Sequence, residues 1–234
     1  MADVVDKIYL PLEAKHVINV QGLHLDEKQA ATNSFLHSIR NGKVAAVILS
    51  GGQGTRLGFP GPKGMYDKLG LPSMKTIFQL HIEKVMKVRE LSTSVGEKLP
   101  NVPIYIMTSD LNHDVIVNYF ADKNYFGYPA KDIVFFEQGL EPCFFNDGRV
   151  IIETPTKIAM APDGNGGIYN ALQRSGCIGD MQKRGVVRNY YSIHLSISNT
   201  SRTFSICKLE FWVRNVLLGT TIMLQFMRFN KLLY

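Results

Sequence analysis

The spacing of apolar residues along the chain changes period several times. Residues 1–40 carry apolar side chains spaced through polar ones and end in an Asn41-Gly42 stop, a pattern that leans to helix. Val44-Ala-Ala-Val-Ile-Leu49 is a continuous apolar run rich in β-branched residues, which suits a strand covered on both faces. From Lys75 to Leu91, residues Ile77, Phe78, Leu80, Ile82, Val85, Met86 and Val88 recur at helical spacing and predict an amphipathic helix. Pro103–Met107 reads as strand, Asn112–Phe120 as helix, Asp132–Phe136 as strand, Arg149–Glu153 as a further strand, and Gly167–Gln173 as the opening of another helix. Strands alternating with helices at this spacing predict βαβ units: an α/β fold with a mainly parallel sheet and helices on both faces.

Composition agrees with such a globule. The chain has 234 residues, 45% hydrophobic and 20% charged, which excludes a wholly disordered chain, a collagen-like repeat and a polytopic membrane protein. Its net charge of +6 is concentrated at one end. Residues 1–185 hold 20 basic against 19 acidic residues, whereas 186–234 hold six basic residues and one acid, Glu210. All ten prolines lie at or before Pro162, and Gly219 is the one glycine after residue 185. These breaks divide the chain into an N-terminal helical segment (1–40), an α/β domain (41–185) and a divergent basic, apolar tail (186–234). Because the excess charge is confined to the tail, it does not argue for nucleic-acid binding by the main domain. Cys143, Cys177 and Cys207 are widely spaced and odd in number, so free thiols in a reducing compartment are expected. The N-terminus lacks the charge pattern of a signal peptide, and Val216–Met227 is shorter than the roughly 20 residues that span a bilayer. A cytoplasmic protein without membrane attachment is expected.

The most informative stretch follows the first strand. In open α/β sheets ligands bind beyond the carboxyl ends of the strands. There the chain reads Leu49-Ser-Gly-Gly-Gln-Gly-Thr-Arg-Leu-Gly58, followed by Phe-Pro-Gly-Pro-Lys63-Gly. Closely spaced glycines let backbone N–H groups approach an anion, and four of them in the eight positions from Gly51 to Gly58 forbid regular structure there. Arg56 adds a bidentate donor and Lys63 a mobile positive charge, so the stretch describes a polyphosphate cradle. It is neither a Walker loop, since Phe59 follows Gly58, nor a dinucleotide fingerprint, since the third glycine comes one place late.

Together with Pro62-Lys-Gly-Met-Tyr-Asp67, Gly70-Leu-Pro-Ser73, Lys75-Thr-Ile-Phe-Gln79, Tyr105-Ile-Met-Thr-Ser109, Phe135-Phe-Glu-Gln-Gly139 and Met160-Ala-Pro-Asp-Gly-Asn-Gly-Gly167, this stretch resembles the UDP-N-acetylhexosamine pyrophosphorylases, in order and spacing, up to about Gly185. The resemblance implies a Rossmann-like nucleotide-diphospho-sugar transferase fold, here incomplete. It also implies uridylyl transfer from UTP to N-acetylglucosamine 1-phosphate, giving UDP-N-acetylglucosamine and pyrophosphate with Mg²⁺. On the same basis Leu49, Gly51, Gly52, Gln138 and Gly164 bind the nucleotide, Asn165 approaches the sugar, and Arg56 and Lys63 stabilise phosphate charge during transfer. Gln138 carries both a donor and an acceptor for a uracil edge. Asp67 and Asp163 read as turn or capping residues rather than metal ligands.

After Arg184-Gly185 the pattern departs. The family continues into a strand ending in an Asp-Asn pair whose Asp binds metal and nucleotide. Here either Leu195 or Ser198 falls at that position, and no Asp follows. The tail therefore reads as an alternative ending, such as a read-through product. The alternative function is a truncated, catalytically impaired UTP-binding or regulatory fragment. Ile193, Leu195 and Ile197 alternate with polar residues, so the tail is able to fill the missing strand's slot without its carboxylate. His194 then falls on that strand's polar face. Phe211–Phe229 admits a membrane-surface helix, but its nearly continuous apolar residues favour exposed sticky surface.

Overall fold

The computed structural model describes residues 22–186 and, as backbone strands, segments of the tail. Helix α1 (Leu25–Arg40) opens at a capping box in which the Glu27 carboxylate accepts from the His24 N–H at 2.8 Å, and it ends at Asn41. The acids Asp26 and Glu27 in its first turn and the basic His37 and Arg40 in its last both suit the helix dipole. Strand β1 (Val44–Leu49) is buried at all six positions, as its unbroken apolar run requires. Helix α2 (Ile77–Leu91) starts two residues later than the periodicity suggests because Thr76 caps it, its hydroxyl accepting from the Gln79 N–H. Then come β2 (Ile104–Thr108), α3 (His113–Asp122) and β3 (Ile133–Glu137).

Beyond β3 the chain leaves the sheet as an antiparallel arm. It comprises β4 (Leu140–Pro142), β5 (Ile152–Thr154), β6 (Lys157–Ile158) and β7 (Met160–Pro162), with β4 paired to β7 and β5 to β6. The strand expected at Arg149–Glu153 thus lies in an exposed hairpin outside the main sheet. The turn at Pro155 and Thr156 ends β5 after three residues, and all three are exposed. Helices α4 (Ile168–Arg174) and α5 (Cys177–Lys183) follow, and strand β8 (Asn189–His194) returns to the sheet.

The main sheet is parallel throughout, in the order β3-β2-β1-β8. Alternate residues of β1 feed two cores. Val44, Ala46 and Ile48 pack with Ile77, Phe78 and Ile82 of α2 and with Ile116 and Phe120 of α3. Ala45, Val47 and Leu49 pack with Leu172 of α4 and with Cys177 and Met181 of α5. The second layer is pinned by Tyr105 of β2, whose hydroxyl donates to Asp180 at 2.7 Å, and by Arg184, which bonds both Asp180 and the buried Asp132. From β1 the chain first crosses to β2 on one side and later to β8 on the other. The carboxyl end of β1 is therefore the topological switch point, the place where open α/β sheets take their ligands.

The fourth strand comes from beyond residue 185. Its backbone pairs in parallel with β1 from Val44–Asn189 to Leu49–His194. Where a surface helix was conceivable, the tail instead forms an antiparallel pair, Leu209–Asn215 with Thr220–Phe226. β-Branched and aromatic residues in an apolar run without helical spacing favour that outcome. Leu195 and Asn199 lie outside the described residues.

Candidate functional site

The glycine-rich loop is folded against itself at the switch point. Ser50 extends the ladder, its N–H donating to Met107 O at 2.7 Å. An antiparallel bridge then joins Gln53 to Pro62, with Gly54 N–H to Gly61 O at 2.8 Å and Lys63 N–H to Gly52 O at 3.1 Å. Lys63 is thereby set beside Gly52 at the base of the loop. Arg56 sits on the exposed turn beyond the Gly54–Gly61 closure.

The expectation of no regular structure over Ser50–Gly58 needs correction, because a single 3₁₀ turn forms there at Thr55–Leu57; a second, Lys63–Met65, follows beyond that stretch. The glycines break the chain into pieces just long enough for one i→i+3 bond, as in Gly58 N–H to Thr55 O at 3.0 Å. Gly58 closes the first turn in the left-handed region at φ 67°. Gly64, in the second, is glycine for steric reasons, because the Phe78 ring fills the space a Cβ would take.

Gln138 lies just past β3, and its N–H donates to Thr108 O at 2.9 Å. Its side-chain amide rests on Gly51 so closely that a Cβ there would lie 2.6 Å from Oε1. The arm, closed by the β4–β7 pair, carries the chain back to the same place. Asp163 N–H donates to Gly139 O at 3.0 Å, and the Asp163 carboxylate packs against both Gly139 and Gly167. Gly164 takes φ 74° and ψ −172°, a conformation essentially reserved for glycine. Asn165 follows it as the first residue of the single turn Asn165–Gly167 that leads into α4. The structure therefore brings Gly51 against Gln138 and ties the turn that holds Gly164 and the Asn165 backbone to the neighbouring Gly139. The Lys63 backbone is bonded to Gly52, and Arg56 is exposed.

Asn112 was not singled out by sequence reasoning. It is buried, donates from Nδ2 to Gly51 O at 3.2 Å, and accepts from Gln53 Nε2 at 2.6 Å. Its position at the start of α3 was a visible signal, but its partners lie about sixty residues away in sequence. Nearby, the Thr108 hydroxyl shares a 2.8 Å hydrogen bond with His113 Nδ1 and bonds Phe136 O, and His113 Nδ1 lies 3.4 Å from Glu137. A separate cavity of about 620 Å³ lies behind the loop, lined by Phe59, Met65, Thr76, Gln79, Tyr119 and Lys123 among others, and it contains none of the expected site residues.

Burial, with Lys84 adding to it, holds His81 of α2 down at about 3, and burial raises Tyr128 to about 12. The Tyr105 hydroxyl is raised further still, by burial and by its hydrogen bond to Asp180. Among the described residues no group of three or more His, Cys, Asp or Glu side chains is arranged to hold a metal. One Asp163 oxygen is buried without a hydrogen-bond partner among them, but the carboxylate is enclosed between two glycines.

A family model described as UTP–glucose-1-phosphate uridylyltransferase matches residues 2–214, which include the loop, Gln138, the 163–167 turn and β8. The chain belongs to this family. Within it, the chain is 41% identical over 180 residues to UDP-N-acetylglucosamine diphosphorylase 1 of Arabidopsis thaliana, covering 75% of this chain and 35% of that one. It is 46% identical over 144 residues to the human UDP-N-acetylhexosamine pyrophosphorylase-like protein 1, covering 62% and 28%. The uridine diphosphate N-acetylglucosamine pyrophosphorylase of Trypanosoma brucei, solved in complex with an inhibitor, superposes with a TM-score of 0.66 at 29% identity, covering 74% of this chain and 37% of that one. The chain spans about a third of the length of these uridylyltransferase relatives. Among the described residues no helix is long and apolar enough to cross a membrane.

Proposed function

We propose that this chain seats UTP in the crevice at the carboxyl ends of β1 and β3 and transfers its uridylyl group to N-acetylglucosamine 1-phosphate. One observation carries the reading: Gly51 lies directly under the Gln138 amide, while the Gly164 turn is tied to the neighbouring Gly139. A uracil edge meets a donor and an acceptor at Gln138, and the ribose and sugar approach the turn at Gly164 and Asn165. The triphosphate then runs along the backbone of Leu49, Gly51 and Gly52 toward Lys63 and Arg56.

In the reaction, a phosphate oxygen of the sugar 1-phosphate attacks the α-phosphorus of UTP. The bond from that phosphorus to the α,β-bridging oxygen breaks, and pyrophosphate leaves with the electron pair. Lys63 and Arg56 offset the charge gathering on the leaving group, so catalysis rests on positioning and electrostatics rather than on a titrating base. Magnesium is implied by the resemblance, but among the described residues no three His, Cys, Asp or Glu side chains are grouped to hold it, and no step here runs through a metal. A cytoplasmic setting is part of this reading, supported by the unpaired thiols of Cys143 and Cys177.

A second reading, nucleotide binding without turnover, is favoured by one specific observation. Strand β8 pairs with β1 as far as His194 opposite Leu49, and neither that strand nor any later residue is an aspartate, Asp180 being the last in the sequence. Pyrophosphate release from UTP and N-acetylglucosamine 1-phosphate, measured beside UTP calorimetry, separates the two. Turnover abolished by Arg56→Ala and Lys63→Ala supports transfer. Binding without turnover supports the second reading, and absence of UTP binding overturns both.

A further inference from the structure

The inference concerns the start of α3 and rests on the reading of the loop as a phosphate seat. Asn112 is 2% exposed and fixed by its own backbone, with its N–H on Ser109 O and its C=O taken by Ile116 N–H, both at 2.9 Å. Its side chain is used twice, donating to Gly51 O and accepting from Gln53 Nε2. In a trans peptide the C=O of one residue and the N–H of the next point in opposite directions. Pinning Gly51 O toward Asn112 therefore turns the Gly52 N–H away from α3. No hydrogen bond among the described residues takes up that N–H.

We propose that Asn112 is a positioning residue for phosphate binding: it holds the Gly51–Gly52 peptide in the orientation that presents the Gly52 N–H to the triphosphate of the bound nucleotide. Without the side-chain donor, the peptide between two glycines is free to rotate, since neither residue has a Cβ to restrict it. The donor is then presented only part of the time, and phosphate affinity falls while recognition of the base does not.

The test is calorimetry on the full chain with three probes, UTP, uridine and inorganic triphosphate, comparing wild type with Asn112→Ala and Asn112→Asp. The aspartate variant is isosteric and still accepts from Gln53, but it has no donor for Gly51 O. For Asn112→Ala, UTP and triphosphate are expected to bind about tenfold more weakly, the worth of one hydrogen bond to a charged group, with uridine within twofold of wild type. Should Asn112→Ala fail to fold, Asn112→Asp carries the comparison. In it, the Gly52 amide resonance of ¹⁵N-labelled protein should lose the triphosphate-induced shift seen in wild type. Equal weakening of uridine would show that Asn112 merely holds the fold, and unchanged UTP affinity would show that the Gly52 peptide needs no such anchor; either overturns the proposal. If wild type binds none of the three probes, the reading of the site fails first and the role of Asn112 with it.

Discussion

Gly51→Ala separates recognition from stability more sharply than any other change in the crevice. Gly51 is not in the left-handed region, so alanine fits its backbone without conformational strain. The obstacle is purely steric. A Cβ at this position would lie 2.6 Å from Oε1 and 2.8 Å from both Cδ and Nε2 of Gln138, where ordinary contact begins at 3.4 Å. The amide must therefore withdraw by about 1 Å, a displacement of the size that costs around a hundredfold in a positioned reaction. Its cost to folding is small, because the atoms that move are the far end of a flexible side chain. Thermal melting should stay within about 3 °C of wild type, since Gly→Ala at a permissive site stabilises slightly. Calorimetry should show UTP and uridine weakened alike, by about tenfold or more, because the lost contact is to the base. Normal uridine binding by Gly51→Ala would refute the assignment of Gln138. A large drop in melting temperature would instead show that the Gly51–Gln138 contact belongs to the fold.

Two further perturbations test the packing that supports the loop. Gly64→Ala drives a methyl into the fully buried Phe78 ring, so denaturant unfolding should show a loss of about 1–3 kcal/mol, and an unchanged midpoint would mean the ring is not seated there. His81 is held neutral to about pH 3 in the folded chain, whereas it takes up a proton near 6.5 when unfolded. The unfolded state binds more protons in that window, so stability should fall as pH drops from 6.5 toward 3, by a little over 1 kcal/mol per unit at most. His81→Leu should flatten this slope, and a slope unaltered by the substitution would contradict the burial argument.

The local elements of the fold were legible because their signals are local. The run Val44–Leu49 and the helical spacing across Ile77–Leu91 each state how many faces are covered: all six residues of the run are buried, and Ile77, Phe78, Leu80, Ile82 and Val85 of the helix are buried with the polar His81 among them. Short elements were read less well. Arg149–Glu153 has strand-like residues but no sheet to join, and a three-residue strand is decided by its partner rather than by its own pattern. The two 3₁₀ turns in the glycine loop were hidden for a related reason. The first is a single turn inside the loop that the Gln53–Pro62 bridge closes, and the second follows directly after that bridge, so both depend on how the loop is closed.

The candidate site divides along the same line. Residue types alone marked Arg56 and Lys63 as charges beside a glycine cradle, since glycine spacing and cationic side chains carry that chemistry wherever they occur. Which residues meet across the crevice was a matter of tertiary structure. Gly51 under Gln138, Asp163 between Gly139 and Gly167, and Asn112 on the Gly51 carbonyl are contacts between segments far apart in sequence. The physical reason is range: backbone propensity and hydrophobic period act over a few residues and fix what each segment becomes. The order β3-β2-β1-β8 fixes which strand ends lie side by side, and only that juxtaposition brings the separate loops together as one candidate site.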